Sequence, residues 1–88
     1  MTLLKIERST DGDVVVFTLS GRIEGERVVE LQSLFASEIG GRRIVLDLEE
    51  VDLVDQDAVR FLARCAADGI RLERCPAYVR EWILRETE

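Results

Sequence analysis

Six carboxylates fall within eleven residues of this chain: Asp47, Glu49, Glu50, Asp52, Asp55 and Asp57, with no basic residue between Arg43 and Arg60. Such a cluster could ligate a hard cation, supply a carboxylate pair for acid–base work, or present a charged docking edge. The metal reading meets obstacles. An EF-hand loop needs oxygen ligands at alternate positions around a central glycine, and Leu48, Val51, Leu53 and Val54 interrupt that spacing. A receiver-type Mg²⁺ pocket would take Asp47 at the end of its strand. Receivers are longer, however, and use a later Lys and Thr or Ser, neither of which occurs between Ile39 and Thr87. Acid–base work needs one buried carboxyl with a raised pKa. Asp47 is the one candidate, and read as closing its strand it anchors turn N–H groups instead.

Other chemistry is excluded by composition. Histidine is absent, which removes the commonest general base and metal ligand and the Ser-His and Cys-His nucleophile arrangements. Cys65 and Cys75 are too few for a disulfide framework and lack CxxC spacing, so they read as small buried hydrophobes. The glycines Gly21, Gly25, Gly40 and Gly41 form neither GxGxxG nor a Walker loop. Net charge is −6, the arginines are scattered and Lys5 is the only lysine, which argues against a nucleic-acid partner. Nothing in the residues supports a catalytic site, a cofactor or a metal.

The elements that must position the acidic run follow from periodicity. Eighty-eight residues, 47% hydrophobic and 34% charged, make one globular domain spanning 1–88. No apolar run reaches the ~20 residues of a membrane span, no signal-peptide pattern opens the chain, and Met1 reads as a true start, so a cytoplasmic location is expected. Residues 3–8 alternate Leu4 and Ile6 against Lys5 and Glu7, a strand signature. Ser9-Thr10-Asp11-Gly12 reads as a hairpin turn and 13–20 as its second strand. Residues 21–25 read as a loop. From Glu26, apolar residues recur at Val28, Leu31, Leu34, Phe35 and Ile39, predicting a helix that Gly40-Gly41 stops.

Residues 44–48 predict a buried strand, followed by an acidic turn, the apolar pair Leu53 and Val54, and a helix from Asp55 to about Ala67. Asp55 is placed to cap that helix, and Ala58, Phe61, Leu62, Cys65 and Ala66 share its apolar face. A short strand over 70–73 follows, then a helix opened by Pro76 and docked through Val79, Trp82 and Ile83. Trp82 reads as core, or, if exposed, as a partner hot spot. The order is β-β-α-β-α-β-α: an α/β fold with a mixed sheet of about four strands and helices mainly on one face. The second strand is apolar on both sides, so its other face needs a cover: hairpin curvature, the last helix, or a second copy in a homodimer.

The chain resembles the STAS domains, named from sulphate transporters and anti-sigma factor antagonists. Three stretches carry the resemblance: VVVFTLSGRIEGERVVELQSL over 14–34, with its Leu-x-Gly-Arg turn; RIVLDLEEVDLVDQDAVRFL over 43–62, with its Asp-Leu pair; and GIRLERCPAYVREWIL over 69–84. In bacterial anti-sigma factor antagonists the turn before the second helix reads Asp-Ser-Ser/Thr-Gly, and its second hydroxyl is phosphorylated by a partner kinase to release the partner. Here it reads Asp55-Gln56-Asp57-Ala58, and no Ser or Thr occurs between Glu38 and Glu86.

The resemblance therefore implies a non-enzymatic protein-interaction module, a degenerate phosphoacceptor position at Asp57, and no Ser/Thr switching at this turn. Asp57 carries one negative charge where a phosphoserine carries about −1.5 to −2. It reads either as a permanent, weak mimic or as a helix-start residue favoured by the dipole by ~0.3–1 kcal/mol. The contact surface is expected to comprise Asp55, Gln56, Asp57, Ala58 and Val59, with Arg22 and Glu24 from the 21–25 loop. The implied partner is an anti-sigma factor or a serine-kinase-like regulator. The alternative is a soluble STAS subunit of an ABC-type transporter complex, bound to its ATPase; a third, an acidic-cluster metal protein. Direct membrane insertion is not expected.

Overall fold

The computed structural model describes residues 4–38 and 43–86. Its elements are β1 (Lys5–Asp11), β2 (Val14–Ile23), α1 (Gly25–Ala36), β3 (Arg43–Val54), α2 (Gln56–Ala67), β4 (Arg71–Glu73) and α3 (Ala77–Glu86). The sheet order is β1-β2-β3-β4, with β1 antiparallel to β2 and the other neighbours parallel. The expected β-β-α-β-α-β-α order and mixed four-stranded sheet are both present.

One core fills the space between sheet and helices. Val15, Phe17, Leu19 and Ile23 of β2, with Leu46 and Leu48 of β3, pack with Leu31 of α1, the inner face of α2, and Val79 and Ile83 of α3. Phe35 bridges Phe17 and Phe61, at ring-centroid distances of 5.1 and 5.9 Å. Cys65 is buried, Cys75 is half-buried, and both are free thiols. Trp82 is half-buried against the core, between the two expectations for it. Among the described residues no helix is long and apolar enough to cross a membrane.

Several expected boundaries shift. β1 runs on through Ser9 and Thr10, which pair with Val16 and Val15, so the turn shrinks to Gly12-Asp13, with Gly12 at φ +61°. The supposed 21–25 loop is mostly strand: Gly21, Arg22 and Ile23 pair with Val51, Leu53 and Val54. Register shifts on either side, with Gly21 at φ +90°, let β2 kink and continue. The supposed acidic turn is likewise strand, because β3 follows β2 to its end: Val51 and Val54 point into the core while Glu49, Glu50, Asp52 and Leu53 stay exposed. Ala66, expected on the apolar face of α2, is exposed. Leu3, Ile39 and the stop assigned to Gly40-Gly41 lie outside the described residues.

The second sheet face carries half-buried Val14, Val16, Thr18 and Ser20. α3 packs beside α2 on the opposite side and does not cover it. On this face Val14 lies between Asp11 of β1 and Arg43 of β3, and Val16 between Ser9 and Val45.

Candidate docking surface at the start of helix α2

Val54 is the last buried residue of β3, and Asp55 leaves the strand in an extended conformation at φ −102°, ψ 178°. Its backbone N–H still donates to the Ile23 carbonyl (3.3 Å), prolonging the β2–β3 ladder by one bond. Its carboxylate then serves two helices. Oδ1 accepts from the Ala58 N–H (2.8 Å), capping α2, and Oδ2 accepts from the Gly25 N–H (2.8 Å), the first residue of α1. Two positive helix ends thus converge on one carboxylate. The capping role of Asp55 was legible in sequence; the bond to Gly25 was not.

Asp57 is the second residue of α2 and is exposed. A β-carbon at position 25 would lie 2.9 Å from Asp57 Oδ2 and 3.0 Å from Asp57 Cβ. Glycine at 25 is therefore what lets the Asp57 side chain lie against the start of α1. Among the described residues its carboxylate has no hydrogen-bond or ion-pair partner. Gln56 is exposed beside it.

The remaining expected contact residues divide. Glu24, the N-cap of α1, is exposed and makes no side-chain capping bond. Arg22 is exposed within β2, opposite Leu53, and with Leu4, Glu24, Glu26 and Arg27 lines a groove of about 200 Å³. Ala58 and Val59, by contrast, are 0% exposed. They cannot touch a partner, because α2 packs against both α1 and α3 and its buried stripe is wider than one apolar row. The exposed surface here consists of Asp55, Gln56 and Asp57 with Arg22 and Glu24.

The upstream acids do something else. Asp47 lies mid-strand, 7% exposed, accepting from the Glu49 N–H (3.1 Å) and from Arg74 Nη2. Arg74 Nη1 also reaches Glu49 Oε2 at 2.6 Å. The bond to Asp47, with Glu49 beside it, pushes the Arg74 guanidinium pKa up. Arg74 adopts φ +52°, an unusual conformation for a residue with a β-carbon, and one that lets its side chain turn back over β3. Arg74 had no sequence signal.

Among the described residues no group of three potential ligands is placed to hold a metal ion. Burial pushes the Cys65 thiol up to about 11 and raises that of Cys75 as well, so both are poor nucleophiles at neutral pH.

The STAS domain pattern matches residues 5–73, more than three-quarters of the chain. The chain belongs to the STAS domain family. STAS domains are in general non-enzymatic regulatory modules. A crystal structure of a protein designated Mglu is 33% identical with a TM-score of 0.54, matched over 80% of this chain and 20% of that one. This STAS domain thus spans about a fifth of Mglu. An antisigma-factor antagonist STAS domain from Rhodobacter sphaeroides is 17% identical with a TM-score of 0.55, covering 83% of this chain and 94% of that one. The unphosphorylated anti-sigma factor antagonist SpoIIAA is 19% identical with a TM-score of 0.51, covering 80% and 69%. At these identities the latter two establish a shared fold. No curated protein matches the sequence.

Proposed function

We propose that this STAS domain is an interaction module that docks a protein partner through the start of α2 and is not switched by Ser/Thr phosphorylation there. One observation carries the reading. Where relatives in the resemblance place a phosphorylatable hydroxyl, this chain has an exposed carboxylate that has no hydrogen-bond or ion-pair partner among the described residues and lies against Gly25, where two helices begin. Both helix ends favour a negative charge there, and Asp57 supplies one permanently. Gln56, Asp57 and Glu24 then form the contact surface with Arg22, and Asp55 holds the two helix starts in register. The partner class is an anti-sigma factor or a serine-kinase-like regulator.

The test is co-purification of tagged wild-type, Asp57→Ser and Asp57→Ala proteins from the native host. Removing the charge should change retention of a specific partner several-fold, and the serine variant should become sensitive to kinase and phosphatase treatment. If neither substitution alters the retention of any partner, the assignment of this turn is wrong. Retention of a transporter ATPase instead would move the module into a transporter complex.

A further inference from the structure

The sheet face turned away from the helices has an apolar centre, at Val14, Val16 and Val45, and charges around it whose order reverses from end to end. The register sets Lys5 of β1 and Glu50 of β3 on either side of Ser20, positive then negative. At the opposite end Asp11 of β1 and Arg43 of β3 flank Val14, negative then positive. Midway, on β4, Arg71 lies beside Val45 and Glu73 beside Asp47, and the two pair at 3.2 Å along the strand. Among the described residues Asp11, Arg43 and Glu50 make no ion pair or side-chain hydrogen bond.

A surface with this order is complementary to itself. When a second copy is turned about a two-fold axis that crosses the strands between Val16 and Thr18, each strand meets its own counterpart running the other way. Lys5 then faces Asp11 of the second copy, Arg43 faces its Glu50, and the Arg71–Glu73 pairs stack head to tail. Val16 meets Thr18 and Val14 meets Ser20, so the centre is uncharged apart from Asp47, which is already held by Arg74 and the Glu49 N–H. Arg43 of the second copy also arrives where Asp47 and Glu49 share a single cation. A two-fold axis along the strands would instead set Glu7 against Glu73.

We infer that this open sheet face is where two copies of the chain associate, about the two-fold axis that crosses the strands. With strands ~4.8 Å apart and same-face side chains ~6.8 Å apart, the face spans roughly 500 Å² per copy, the size of a weak, reversible interface. The start of α2 stays uncovered in both copies, at opposite ends of the dimer. This inference does not depend on the docking reading above.

The test is sedimentation equilibrium of the full chain up to about 1 mM, in salt that screens the general repulsion of the two acidic chains beyond ~8 Å. The wild type should dimerise with a dissociation constant of roughly tens to hundreds of micromolar, and the ¹⁵N amide signals of Val16 and Val45 should shift with concentration. Arg43→Glu and Glu50→Arg should each weaken association about ten-fold, although the first makes the chain more acidic and the second less. The double variant should recover it to within about three-fold of wild type, because the reversed pair is again opposite in charge. Arg43 and Glu50 lie roughly 20 Å apart on one extended strand, so such a rescue can act only between copies.

A monomer throughout this range overturns the inference. So does a double variant as weak as the single ones, or a Glu50→Arg variant that associates more tightly than wild type, which would mean that net charge alone governs association. Concentration-dependent shifts confined to Val29 and Leu34 of α1, or to β1, would put the contact elsewhere and overturn it as well.

Discussion

Asp47 and Asp55 lie eight residues apart in one acidic run, and each accepts a backbone N–H, yet their carboxylates are balanced by different means. Asp47 is nearly buried and is neutralised by a guanidinium, with Glu49 sharing the same Arg74. Asp55 is exposed and is satisfied by backbone N–H groups at two helix starts. Backbone dipoles leave no formal positive charge behind. The first region therefore has one cation for its two carboxylates and keeps Asp47 nearly buried, while the second keeps the full negative charge of Asp55 and Asp57 at the surface. An ion pair and a helix end satisfy a carboxylate equally well locally, and only the helix end leaves a field for a partner to feel.

The largest effect should come from breaking the second arrangement. Asp55→Ala removes an N-cap and a cross-helix bond together, and should cost about 2 kcal/mol in urea unfolding. Cys65 on the inner face of α2 is an internal reporter. Its thiol is held up to about 11 by burial, so it should resist thiol reagents at pH 8 in the wild type and react faster in this variant as α2 loosens. Unchanged Cys65 labelling alongside lowered stability would show that Asp55 does not hold the start of α2.

Arg74→Ala should come next and destabilise by less than Asp55→Ala, since it leaves a nearly buried Asp47 without its cation while Arg74 itself is exposed. Arg74→Gly separates two contributions. It loses the same ion pairs but relieves the positive φ, and should recover roughly 0.5–1 kcal/mol relative to the alanine variant. Equal stability of the two variants would mean that the left-handed conformation at 74 costs nothing.

The element order was legible because it rests on local patterns: the hairpin's β-branched run, the spacing of Val28, Leu31, Leu34 and Phe35, and the N-cap at Asp55. The capping half of the site was legible for the same reason, since Asp55 and Ala58 are three residues apart. What pairs across the fold was not. Arg74 meets Asp47 only because β4 lies beside β3 in a particular register, and Gly25 meets Asp57 only because two helices begin side by side. The acidic residues from 49 to 52 looked like a turn because strands rarely carry so many charges. They remain strand because β2, kinked at Gly21, supplies a partner and the charges project to water. Val59 was assigned to the surface because a single apolar row was assumed, whereas α2 is flanked by helices on both sides.

The smaller effects sharpen the contrast at the exposed site. Gly25→Ala places a β-carbon against Asp57 and should destabilise by about 1 kcal/mol. Combined with Asp57→Ala, which removes the nearest contact at Oδ2, it should lose about half of that penalty in a double-mutant cycle. Strict additivity would mean that the two side chains do not compete for space.

Asp57→Ala alone should change stability least, by no more than about 0.5 kcal/mol. The favourable interaction with the helix starts is offset by repulsion from Asp55, Glu24 and Glu26 nearby. A small loss would leave Asp57 free for the partner-facing role proposed above, because the residue would then be contributing little to folding at the two helix starts. A stability loss as large as that of Asp55→Ala would sink this distinction and make Asp57 a second cap.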